Sequence, residues 1–120
     1  MSLDSCLEKF STIKQDPKRT ALHAAVYKSD VDCVSIFIEK DFDADVMDTE
    51  ENTPLTIALR KIYHNKNDKS ITATNCQIVK MLNENGAMFE NIAPKAKKNL
   101  DFKKIFQNCI EGDYFNWGTK

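Results

Sequence analysis

Apolar residues return at helical spacing in a series of short stretches, each broken by polar turn formers. Leu3, Leu7, Phe10 and Ile13 mark an N-terminal amphipathic helix that is expected to stop before Asp16 and Pro17. Leu22, Ala25 and Val26 form a second stripe, and Leu55, Ala58, Leu59 and Ile62 a matching one. Denser apolar runs follow each: Val31, Cys33, Val34, Ile36, Phe37 and Ile38 after the first, Cys76, Ile78, Val79, Met81 and Leu82 after the second. Phe102, Ile105, Phe106, Cys109 and Ile110 close the series at i, i+3, i+4, i+7 and i+8. The pattern predicts helices throughout and no strand.

The starts of these helices are written in the sequence. Thr53 before Pro54 places a hydroxyl acceptor at the cap and a residue without an N–H at the first helical position; Thr20 before Ala21 does the same less rigidly. Ser29 with Asp32, and Thr74 with Gln77, have capping-box spacing and predict the starts of the denser helices. Thr20 to His23 read TALH, Thr53 to Thr56 read TPLT, and the two threonines lie 33 residues apart. On this spacing the chain resembles an ankyrin repeat protein from about residue 18 to residue 92. The resemblance implies an all-α fold, a short ankyrin-type helical solenoid with hairpin loops and N- and C-terminal capping helices. It also implies that His23 makes structural hydrogen bonds between neighbouring turns.

The chain reads as one domain over residues 1–120: a cap helix in 1–17, repeat 1 in 18–52, repeat 2 in 53–92, and a cap or degenerate repeat with a tail in 93–120. Two departures from the family pattern stand out. Repeat 2 carries 12 extra residues between its helices, and the polar HNKNDKSITAT around 64–74 predicts an extended first helix followed by a surface loop. At the end of its second helix repeat 1 has Asp41 and Phe42 where repeat 2 has Gly86 and Ala87, and Asp accommodates a left-handed turn less well than Gly. That turn is expected to be distorted. Pro94 is expected to start a short helix, Gly112 to end the last one, and Tyr114, Phe115 and Trp117 to fall in a tail.

Composition is that of a soluble globular domain, with 42% hydrophobic and 29% charged residues. No stretch is apolar enough for a signal peptide or a membrane span, so a cytoplasmic location is expected, in the producing cell or, after export, in a host. Cys6, Cys33, Cys76 and Cys109 are dispersed without a CxxC pair and read as buried reduced thiols, not as disulfides or zinc ligands. The net charge of −1 conceals a division, since Asp41, Asp43, Asp45, Asp48, Glu50 and Glu51 crowd one stretch while Lys95, Lys97, Lys98, Lys103 and Lys104 crowd another. Fifteen lysines against two arginines fit an AT-rich genome, a bias shared with host-associated sources whose ankyrin proteins are often effectors.

Nothing in the sequence assembles a catalytic or cofactor site. Three glycines cannot build a phosphate loop, and two histidines with scattered cysteines offer no metal spacing. The slight acidity argues against a nucleic-acid binder, although the lysine cluster near Phe102, Tyr114, Phe115 and Trp117 has the ingredients of one. The expected function is non-catalytic recognition of a partner protein carrying a basic segment, by a monomer with no cofactor and no metal. The resemblance puts the site on the family's usual surface: Met47, Asp48, Glu50, Glu51 and Asn52 at the hairpin tip, with Tyr27, Lys28, Arg60, Lys61 and Tyr63 along the first helices. Two alternatives stand beside it. One is an accessory or inhibitory subunit docking through Tyr114, Phe115 and Trp117. The other is a cryptic thiol enzyme using Cys76 and His64.

Overall fold

The computed structural model describes residues 2–10 and 20–112. Within them run α1 (Leu3–Phe10), α2 (Ala21–Tyr27), α3 (Val31–Glu39), α4 (Pro54–His64), α5 (Lys69–Glu84), a single 3-10 turn (Phe89–Asn91), α6 (Pro94–Lys97) and α7 (Leu100–Glu111). Helices α2 and α3 form one antiparallel pair and α4 and α5 the next; α2 packs on α4, and α3 on α5. An inner layer of α2 and α4 therefore lies against an outer layer in which α1 flanks α3 and α7 flanks α5. Among the described residues there is no strand, and the fold is the all-α helical stack that the pattern predicts.

The stripes pack as expected. Leu22, Val26, Leu55, Leu59, Ile62, Val34, Phe37, Ile78 and Leu82 are all buried in one continuous core. Thr20 and Thr53 cap α2 and α4, their hydroxyls accepting from the backbone N–H of His23 and Thr56. On α1 the buried face is Cys6 and Phe10, whereas Leu7 is 36% exposed. The expectations for Ile13, Asp16 and Pro17, and for Tyr114, Phe115 and Trp117, lie outside the described residues.

Five expectations need correction. The 64–74 segment is not a loop: α4 runs to His64, three residues turn, and α5 begins at Lys69 with Asp68 as its cap, the carboxylate accepting from Ile71 N–H. Residues 69–74 extend α5 by more than a turn, because Ile71 and Thr72 continue its inward stripe and Asn75 is fully buried. Thr74 and Gln77 consequently sit inside α5, and their capping-box spacing has no terminus to serve. Asp30, not Ser29, caps α3, accepting from Cys33 N–H at 3.1 Å. Ser29 instead adopts a left-handed φ of 56° and donates to Asn75 Oδ1 at 3.2 Å, linking the α2–α3 turn to α5.

The turn after α3 is not distorted. Asp41 takes the left-handed conformation at φ 63°, and Phe42 N–H reaches the Phe37 carbonyl at 3.1 Å, the same closure that Gly86 allows between Ala87 and Leu82 at 2.9 Å. Stacking of Phe42 on Phe37, with ring centroids 4.7 Å apart, holds the turn despite the missing glycine.

All four cysteines are buried, as expected, but they are paired: Cys6 with Cys33, and Cys76 with Cys109. The first bond joins α1 to α3 and the second joins α5 to α7, so each staples a terminal helix to the outer layer. Stacking sets equivalent positions of successive outer helices side by side, which brings cysteines 33 residues apart within 5.0 Å at Cα. A search for local CxxC spacing misses pairs made by the repeat itself.

Candidate functional site

Two structural histories converge on the turn at residues 48–52. Asp48, although charged, is 3% exposed, because its carboxylate accepts the N–H groups of Glu50 and Asn52, both at 2.9 Å. Its backbone N–H also donates to the Asn52 carbonyl, which closes the tip. His23 secures that turn from the neighbouring repeat. Its Nδ1 faces the Thr20 backbone N–H at 3.1 Å and so must accept, which leaves the proton on Nε2 to be donated to the Asn52 carbonyl at 2.8 Å. The structural role implied for His23 is what the geometry displays. Thr56, at the equivalent place one repeat on, bonds only with Thr53 and is too short to reach the following turn.

On this rigid base the helix edge projects its side chains. Tyr27 is 58% exposed at the end of α2, with the Nζ atoms of Lys28 and Lys61 each 5.7 Å from its ring centre. Lys61 Nζ donates to the Tyr27 carbonyl at 2.6 Å, and Arg60 Nη2 to Asn52 Oδ1 at 3.0 Å. Burial, together with the nearby Lys28 charge, lowers the pKa of Lys61 below the ordinary lysine value. Behind these residues a recess of about 290 Å³ is floored by Ile57 and walled by Tyr27, Arg60, Lys61 and His64. A second recess, of about 370 Å³, lies on the other side of Arg60, where Thr56, Lys95 and Asn99 face Glu50 and Glu51. It opens because α6 is a single turn and the inner layer stops there.

The expected site residues thus fall into two groups. Tyr27, Lys28, Glu50, Glu51 and Arg60 are exposed and Lys61 half-exposed along one edge, whereas Asp48 and Asn52 are buried parts of the turn. Met47 is half-buried. Tyr63 is also half-buried, edge-on to Phe102 of α7 with centroids 5.6 Å apart, and Lys66 Nζ lies 4.8 Å from its ring centre. Ile57 and His64, the latter named only for the thiol alternative, escaped the sequence reading of the partner site, as did Asn99 and Lys95, which was named only in the lysine cluster. The first two could have been found by taking α4 as a face, since 57, 61 and 64 fall on one side of a helix.

The Cys76 and His64 of the thiol-enzyme alternative are not brought together. Cys76 is fully buried and bonded to Cys109, so it offers no thiolate to His64, which is exposed on the opposite layer. Among the described residues no helix is long and apolar enough to cross a membrane.

The protein-family comparison matches residues 3–93 to a model described as ankyrin repeats in three copies. Searches of curated proteins and of solved structures returned no match.

Proposed function

From a chain that belongs to the ankyrin repeat family, whose members are generally non-catalytic protein-interaction modules, we propose a binding protein that holds its partner along the hairpin tip and the exposed edge of α2 and α4. One observation carries this reading. Glu50 and Glu51 stand on a turn already locked by Asp48 and His23, and Tyr27, Arg60 and Lys61 on the helices beside it, so little ordering remains to be done when a partner arrives. In this proposal Tyr27 is the anchor, and Glu50 and Glu51 meet the basic group of the partner expected from the sequence.

Affinity capture from lysate tests it, comparing the wild type with Tyr27→Ala combined with Glu50→Lys and Glu51→Lys, and with a Lys103→Ala, Lys104→Ala control on the outer layer. The proposal expects a protein retained by the wild type and the control and lost by the edge variant. Equal recovery by all three would reject this surface.

The chain is proposed to act as a monomer. Its cytoplasmic placement stands as a proposal that the two disulfides oppose, since such bonds persist in oxidising compartments. Alkylation of the protein as it leaves the cell decides the matter: resistance of all four cysteines places it in an oxidising compartment, and four modified thiols in a reducing one.

A further inference from the structure

The cations of the helix edge share their recesses with Glu50 and Glu51 but form no ion pair with them. Among the described residues, ion pairs join Lys9 to Asp30 and Lys66 to Asp101, and none involves Lys28, Arg60, Lys61 or Lys95. Lys61 is the most constrained. Its ammonium donates to the Tyr27 carbonyl, its other N–H groups face the recess and solvent, and Lys28 adds a like charge beside it. Arg60 likewise spends one of its N–H groups on Asn52 and stands as a ridge shared by both recesses. Beside these cations lies the apolar floor of Ile57 and the Tyr27 ring.

We propose that this groove receives an acidic segment of the partner protein, with a carboxylate seated between Lys61 and Arg60 and a neighbouring apolar side chain against Ile57 and Tyr27. The inference rests on the proposed binding edge and names the chemistry of its occupant. Charge complementarity carries it. A carboxylate gives Lys61 and Arg60 an ionised acceptor in place of solvent and offsets the repulsion from Lys28, and in a partly desolvated recess such charge-assisted bonds are stronger than on open surface. Glu50 and Glu51 at the rim then fix the direction of the segment, because they repel its acidic part and accept a basic group only at the tip end. The partner segment is therefore of mixed charge, with its acidic part over α4.

Fluorescence anisotropy with a fluorescein-labelled peptide of alternating Glu and Leu residues tests this, alongside twins in which every Glu is replaced by Gln or by Lys. The Glu peptide is expected to bind the wild type and to lose affinity with rising salt. It is expected to bind Arg60→Gln, Lys61→Gln about tenfold more weakly and Lys103→Gln, Lys104→Gln unchanged. An Arg60→Glu, Lys61→Glu variant is expected to prefer the Lys twin, which controls for misfolding of the neutral variant. Preference of the wild type for the Lys twin, binding insensitive to residues 60 and 61, or no binding of any peptide would overturn the proposal. So would tighter binding of a twenty-nucleotide oligothymidylate lost through the same two residues, which would make the groove a nucleic-acid site. The binding edge itself fails separately, by equal recovery in the capture experiment.

Discussion

Glu51 sits at the hairpin tip with φ 63°, in the left-handed region that penalises any side chain with a Cβ. Nothing in the fold needs a glutamate there, as the residue is exposed and the turn is closed by Asp48 and Asn52. Glu51→Gly is therefore expected to raise stability by about 0.5 kcal/mol, the relief of strain exceeding the added entropy of the unfolded chain. A melting temperature about 2 °C higher would register that gain, and an unchanged or lower one would show that the glutamate itself supports the turn. Asp30 is the residue whose ionisation the fold uses. Partial burial pushes its pKa up, but hydrogen bonds from Lys9 Nζ and Cys33 N–H and the Lys9 charge together bring it below the ordinary carboxylate value. A group with a depressed folded pKa contributes stability above its unfolded pKa of about 3.9 and loses it as pH falls through the folded value. Urea midpoints of the wild type and Asp30→Asn are accordingly expected to differ at pH 6 and to converge below pH 4; a constant gap would assign the effect to the cap alone. Legibility at this scale was uneven. His23 and the threonine caps stood out because their partners lie within four residues or one repeat. Asp48 looked like a surface acid, since its partners are backbone N–H groups that no residue pattern reveals.

The pairing of α2 with α3 and of α4 with α5 could be read from periodicity and cap signals; the terminal helices could not be fully read, because their anchors are long-range. Helix α1 has eight residues, too few to persist alone, and is held to α3 by the Cys6–Cys33 bond, the Lys9–Asp30 pair at 2.6 Å and the edge-on contact of Phe10 with Phe37. At the other end Cys76–Cys109 and the Tyr63–Phe102 contact hold α7. Each bond closes a loop of about 30 residues, worth about 3–4 kcal/mol in the chain-entropy description, so reduction is expected to loosen both ends before the middle. Amide exchange with and without dithiothreitol checks this: α1 and α7 should lose protection while α4 and the second half of α5 retain it. Unchanged exchange in α1 and α7 would mean that packing alone keeps the caps in place. The inserted residues illustrate the converse error. HNKNDKSITAT is polar enough to read as a loop, yet Asp68 caps a helix whose buried Thr72 and Asn75 satisfy themselves on the Asn65 and Ile71 carbonyls.

In the assembled molecule the two charged regions of the sequence are not remote from each other. Glu50 and Glu51 come from the acidic stretch and Lys95 from the basic one, yet all three line the recess beside Arg60. The field across the groove thus changes sign within the proposed binding surface, acidic at the tip and basic along α4, a pattern that in this proposal orients a partner as well as attracting it. The outer layer, stapled at both ends, supports that surface without taking part in it, and the inner edge carries the cations. The sequence could indicate which edge to inspect, through its likeness to the repeat family, but not the polarity of that edge, which arises where the one-turn α6 brings Lys95 opposite the tip. The claim that this edge is where the protein meets its partner is most directly tested by site-specific photo-crosslinking. A benzophenone amino acid would replace Tyr27 in one sample and Lys103, on the outer layer, in another, followed by irradiation in lysate. The account predicts a protein adduct from position 27 and none from position 103; adducts from position 103 alone would contradict it.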